Sequence, residues 1–288
     1  MSIRMSWHLA ALIVISGCSA KRGDTLEPPA MVVTGIDTAT LSLPLDPYVI
    51  SPAEFQFITQ AENALTEGCA RKFGVAWSFH ADLGKADTKP VRHDAQWGST
   101  DEPRARQYGY DPTPEEWVEI ERQRRTNESP NDTKISPIPE SCPAEARRKL
   151  YEGVMPNFDP NYPSVLSYEA ESKTWADSRV VAKVTAWRKC MKLAGGFTYP
   201  NPIKAGADPA WRSEGPNAPA SEREKSVATA DAQCNKKVGL SDTAAAVDAT
   251  YHQELVDKNR PQLAAFERSK AVVLGNAAAI LGRPGPTR

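Results

Sequence analysis

Long apolar runs are nearly missing from this chain of 288 residues. The longest, Leu9 to Ile15, holds seven residues. As a helix it rises only about 10 Å, against about 30 Å for a hydrocarbon core, so no membrane span is expected. Histidine occurs four times, which starves a metal centre of a common ligand, and no Cys-x-x-Cys pair is present. A G-x-S-x-G elbow, His-Glu-x-x-His, a phosphate loop, a G-x-G-x-x-G turn and a calcium loop are all missing. That removes the motif-bearing serine hydrolases, zinc proteases, nucleotide enzymes and EF-hands. Neither a metal nor a cofactor is expected. Alternating strand patterns are scarce too, and only residues 73–79, FGVAWSF, invite a strand.

What is there begins with a leader. Residues 1–8 are polar with one basic residue, Arg4, and Leu9–Ile15 follow as the apolar region of a secretory signal. Ile15-Ser16-Gly17-Cys18 then resembles the lipobox of bacterial lipoproteins. That resemblance implies that residues 1–17 are a lipoprotein signal peptide, cut off before Cys18, whose thiol carries a diacylglyceryl group. Two acyl chains give stable attachment where one is marginal. The expected location is the extracytoplasmic face of the cell membrane, with the lipid anchor as the membrane contact. Residues 18–50, rich in Pro, Ser, Thr and Gly, read as a flexible tether.

Without residues 1–17 the chain carries 34 basic and 36 acidic residues. That balance gives no overall grip on nucleic acid. Four cysteines remain beyond Cys18: Cys69, Cys142, Cys190 and Cys234. An even number in an exported chain is the pattern of two disulfides, with three connectivities open.

Cys69, Cys190 and Cys234 each stand five residues before a glycine (Gly74, Gly195, Gly239), with basic residues between. Basic side chains near a left-handed glycine cap mark helix C-termini. Ser51-Pro52-Ala53-Glu54 and Ser221-Glu222-Arg223-Glu224 are capping boxes opening two of these helices. Phe55, Ile58, Ala61, Leu65 and Cys69 trace one face of the first, and Val227, Ala230, Cys234 and Val238 one face of the other. Val180, Val184, Trp187 and Met191 supply the face before Gly195. Shorter helices open at Thr113-Pro114-Glu115-Glu116 and at Cys142-Pro143. Beyond Gly239 helix runs almost to the end, broken or kinked at Pro261.

The expected class is therefore mostly α: a helical domain, residues 51–285, of two disulfide-bridged helix pairs with long proline-rich loops. Cys190 and Cys234 sit on helices joined by a proline-rich excursion, which favours that pair and leaves Cys69 for Cys142. Two halves, 51–155 and 160–285, then carry one bridge each. The cysteine–glycine repeat and the lipobox together resemble uncharacterised lipoproteins of high-GC Gram-positive bacteria, on Cys69, Gly74, Trp187, Cys190, Met191, Tyr199, Pro200, Cys234 and Gly239. The resemblance implies no activity.

Reactive candidates are few. His80, His93 and Asp94 fall in one irregular stretch and are the weak candidates for a general-base or zinc site. Trp77, Trp97 and Trp211 stand in or beside loops, where a ring more commonly anchors the loop to the core but can stack on a sugar or peptide, which makes them weak ligand candidates, whereas Trp117, Trp175 and Trp187 sit in helical patterns and read as core. His252 reads as a surface or boundary residue. The leading expectation is a lipid-anchored binding or scaffolding protein of the cell envelope, its partner an envelope protein or wall ligand, with no catalytic centre evident. The alternative is a cell-wall-acting hydrolase using the His80/His93/Asp94 region.

Overall fold

The computed structural model describes residues 27–30, 41–75, 96–127, 138–211 and 219–286. Among the described residues the chain is helical, with no strand. The expected signal peptide and Cys18 lie outside them, as does the stretch 76–95 that holds Trp77, His80, His93 and Asp94. Phe73 and Gly74 close the first helix, so the part of FGVAWSF that is described is a turn; residues 76–79 lie outside.

Helix α1 spans Pro52–Lys72. Its capping box is complete: the Ser51 N–H donates to Glu54 Oε2 (2.8 Å) and the Glu54 N–H to Ser51 Oγ (3.2 Å). Short helix α2 (Glu102–Tyr108) and helix α3 (Pro114–Asn127) follow, then α4 (Ser141–Leu150). Helix α5 (Tyr162–Ala176) runs through Asp177 into α6 (Ser178–Gly195), and α7 (Pro202–Gly206) is a single turn. Helix α8 (Glu222–Val238) passes through Gly239 into α9 (Leu240–Lys258), and α10 (Arg260–Leu281) completes the fold. The apolar spacing misses α2, α5 and α7. The cap of α6 is Gly196, in the left-handed region at φ 71°, one residue beyond the expected Gly195.

Both bridges are formed. Cys69–Cys142 ties α1 to α4, and Cys190–Cys234 ties α6 to α8. They span 73 and 44 residues of sequence, and each closure contributes about 2–4 kcal/mol by constraining the unfolded chain.

The helices do not sort by halves of the sequence. The larger core joins α5, α6, α8 and α9 through Leu166, Val180, Trp187, Met191, Val227 and Leu255. A second core unites α1, α4 and α10 through Phe57, Ile58, Leu150 and Val273. The C-terminal helix thus returns to the N-terminal bridge, because the chain breaks at Asn259 (φ −109°), just before Pro261. Asn276 Nδ2 secures the return by donating to the Leu150 and Glu152 carbonyls, at 2.9 Å each. In the opposite sense α2 packs on α8.

The last part of the expected tether is core. Leu43 and Leu45 are buried among the residues of the larger cluster, and the buried Lys270 ammonium lies 3.3 Å from the Tyr48 carbonyl and 2.7 Å from Glu267. Proline content marks an irregular path here, whereas the leucines bring that path onto the helices. Any free leash lies closer to the N-terminus.

Candidate functional site

Of the three loop tryptophans Trp77 lies outside the described residues, and the other two, Trp97 and Trp211, have no open ring face for a ligand. Trp97 is fully buried, and Trp211 is buried with its Nε1–H donating to the Ala205 carbonyl at 2.7 Å. Both belong to the larger core, where they anchor irregular chain that supplies few apolar groups of its own. Trp187 is core as expected, and Trp117 and Trp175 are half-buried.

Trp97 is held at the α8–α9 corner by a polar clasp. Asn235 Nδ2 donates to the Trp97 carbonyl (3.0 Å), and the Ser241 N–H donates to Asn235 Oδ1 (2.9 Å). The Ser241 hydroxyl lies 2.8 Å from the same Oδ1 and 3.0 Å from the Gly98 carbonyl. Gly98 adopts φ +85°, and a Cβ there would sit 2.7 Å from both Asn235 Nδ2 and Pro202 Cβ. Gly98→Ala is therefore expected to cost about 1–3 kcal/mol through forced displacement in a packed site, read as a lower urea midpoint.

A strongly perturbed acid lies one turn away on α8. Asp231 is buried, accepting from Trp187 Nε1–H at 2.8 Å and from the Tyr110 hydroxyl at 3.0 Å. Burial pushes its carboxyl up to about 7, although both donors pull the other way. Seven residues earlier on the same helix, buried Glu224 accepts from the Tyr110 N–H at 2.9 Å. Burial raises this carboxyl as well, and burial followed by the facing Asp231 drives the Tyr110 phenol far above its ordinary value. Two buried acids of α8 thus grip one tyrosine of the turn after α2 at its backbone and its hydroxyl.

A second buried group lies between α5 and α9. Thr174 Oγ1 is 2.8 Å from Asp248 Oδ1, and His252 Nε2 is 3.8 Å from Asp248 Oδ2. All three are buried, which corrects the surface reading of His252: α9 is covered on most of its circumference, so even its polar positions face neighbouring helices. At the α5–α6 corner Asp177 accepts from Arg179 Nε (2.8 Å) and from the Tyr251 hydroxyl (3.1 Å). Burial opposes ionisation of Asp177, but the bonds from Arg179 outweigh it and hold the carboxyl below its usual range.

Two surface hollows flank α2. One of about 350 Å³ is walled by Arg106, Phe197, Lys225, Thr229 and Gln233; another of about 520 Å³ by Glu102, Pro103, Arg106 and Gln107. Neither has Asp231, Asp248 or His252 in its wall. Their charges are also compensated, Arg106 by Glu102 and Lys225 by Glu222. Among the described residues no three His, Cys, Asp or Glu side chains converge to hold a metal.

Spacing misses Tyr110, Glu224, Asp231 and Asp248 because the apolar pattern counts only hydrophobes. A signal existed in α8: Glu224 and Asp231 are seven apart, on the stripe that carries Val227 and Cys234. No family model, curated protein or solved structure matches the chain.

Proposed function

We propose that the chain is a lipid-anchored binding or scaffolding protein of the cell envelope, held at the extracytoplasmic membrane face through Cys18. The observation that carries this reading is how the domain spends its reactive groups. Its four cysteines beyond Cys18 are paired in two bridges between helices, the state an oxidising compartment maintains. Asp231, Asp248 and Asp177 are engaged in bonds that hold helices together. No helix of the described residues is long and apolar enough to cross a membrane; this reading assigns attachment to Cys18. A domain braced in this way offers its outer helix faces to partners.

Intact-mass spectrometry of the protein purified from its native membrane tests the reading. A mature chain beginning at Cys18 with the mass of a diacylglyceryl adduct is expected, and reduction should add only the hydrogens of two opened bridges. An unmodified N-terminal methionine would overturn the anchor. Turnover of wall fragments, abolished by His93→Ala with Asp94→Ala, would replace the binding role with the hydrolase.

A further inference from the structure

Helix α6, with the sequence SRVVAKVTAWRKCMKLAG, contains five basic residues and no acid. Its inward stripe is Val180, Trp187 and Met191, all fully buried. At 100° per residue the opposite side is centred on Lys189, with Thr185, Lys192 and Leu193 around it, Val181 towards one margin and Arg188 at the edge. All of these are exposed, Leu193 to 80% and Val181 to 47%. Arg179 and Lys183 are occupied by Asp177 and by the Val238 carbonyl. Arg188, Lys189 and Lys192, in contrast, have no ion pair among the described residues. On a chain of slightly negative net charge, the outward face of α6 thus carries cations with no ion pair among the described residues and exposed aliphatic side chains between them.

A second, independent observation concerns the leash. Glu27 is bound at the beginning of the same helix, taking the Ser178 N–H at 2.7 Å and the Ser178 hydroxyl at 2.6 Å. Eight residues lie between Cys18 and Glu27, nine steps of chain with a reach of at most about 32 Å. Lys189 and Leu193 lie about 17 and 22 Å along the helix from Ser178. An anchor at Cys18 therefore confines this helix, more closely than any distant part of the domain, to the neighbourhood of the lipid.

We propose that the outward face of α6 rests on an anionic bilayer surface, with Arg188, Lys189 and Lys192 against lipid phosphates and Leu193 and Val181 in the headgroup layer. Mixed basic and aliphatic faces bind in the interfacial plane by this combination, and each cation near an anionic surface adds attraction that a Debye length of salt removes. The anchored reading supplies the orientation, but the face can be tested without the anchor.

The probe is the mature chain from residue 18 carrying Cys18→Ser, so that no acyl group contributes, mixed with phosphatidylcholine vesicles that either contain or lack phosphatidylglycerol. Sedimentation with the phosphatidylglycerol vesicles only is expected, reversed by high salt. Replacing the three cations together (Arg188→Gln, Lys189→Gln, Lys192→Gln) should weaken the binding on the order of 100-fold, about fivefold for each. These side chains are exposed, and an unchanged helical circular dichroism signal checks that the variant is folded. Equal binding to both vesicle types, no binding to either, or undiminished binding by the triple variant each overturns the proposal. Failure of the anchor is read separately, from the native protein's mass.

Discussion

Replacing Trp187 with alanine is expected to lower the stability of the domain by about 3–5 kcal/mol, the usual range for deleting a large buried aromatic. Trp187 is fully buried between α6 and α8, beside the bridge that joins those helices, so the surroundings have little freedom to collapse into the space. The substitution also withdraws the Nε1–H donor from Asp231. Trp187→Phe separates the two effects: most of the ring volume stays, and the lost bond to a buried acid is expected to cost about 1–3 kcal/mol. Urea unfolding with both bridges oxidised provides the measurement, as a shift of midpoint at unchanged slope. A Trp187→Ala midpoint equal to that of the parent chain would show that this contact does not hold α6 on α8.

The second large effect is on pH dependence. Asp231 titrates at about 7 when folded, against an ordinary value of 3.8. A carboxyl raised on folding binds its proton more tightly in the native state, so its stabilising contribution is complete below the unfolded value and is lost as pH rises to about 7. At about 1.4 kcal/mol per pH unit, that window is worth roughly 4 kcal/mol. Tyr110 and Glu224 face the same junction. Glu224 is also raised and adds the same sign, while the Tyr110 phenol stays protonated throughout. Asp177, held low chiefly by Arg179 against the effect of its burial, acts in the opposite sense and loses its contribution as pH falls. Asp231→Asn keeps both bonds, since the amide oxygen accepts from Trp187 and the amide nitrogen donates to the Tyr110 oxygen. Relative to the parent, the variant is therefore expected to gain stability from pH 4 to about pH 7 and then level off, by roughly 4 kcal/mol in all, with thermal midpoints diverging by about 10 °C. Parallel midpoint curves for the two proteins would rule out Asp231 as the titrating group. Because Tyr110 belongs to the turn that brings α2 onto α8, loosening at high pH should begin at that turn.

Much of the helical layout was legible in the residues. Ser51-Pro52-Ala53-Glu54 opens α1 through local bonds alone, and Val180, Trp187 and Met191 mark the buried stripe of α6 by spacing. Helix order favoured the cysteine pairing but left other connectivities open; the structure joins Cys69 near the end of α1 to Cys142 at the start of α4, and Cys190 to Cys234 towards the ends of α6 and α8. Helix α5 escaped notice because its inward positions, Pro163, Leu166, Ala170 and Thr174, include only one large apolar residue. Trp97 and Trp211 took the commoner of their two readings, anchoring irregular chain to the core, because a loop address by itself says nothing about whether the loop folds inward. Leu43 and Leu45 show the same in the expected tether.

The sequence by itself determined the helical class, the start and end of the main helices and the placement of cysteines where they could pair, because caps, periodicity and spacing act over a few residues. Only the tertiary structure decided that α10 returns to α1 and α4, that Tyr110 meets Glu224 and Asp231 from more than a hundred positions away, and that Lys189 is left on an open face. Those outcomes depend on which surfaces exclude water together. Burial of that kind is a property of the assembled helices, and no single stretch of residues encodes it.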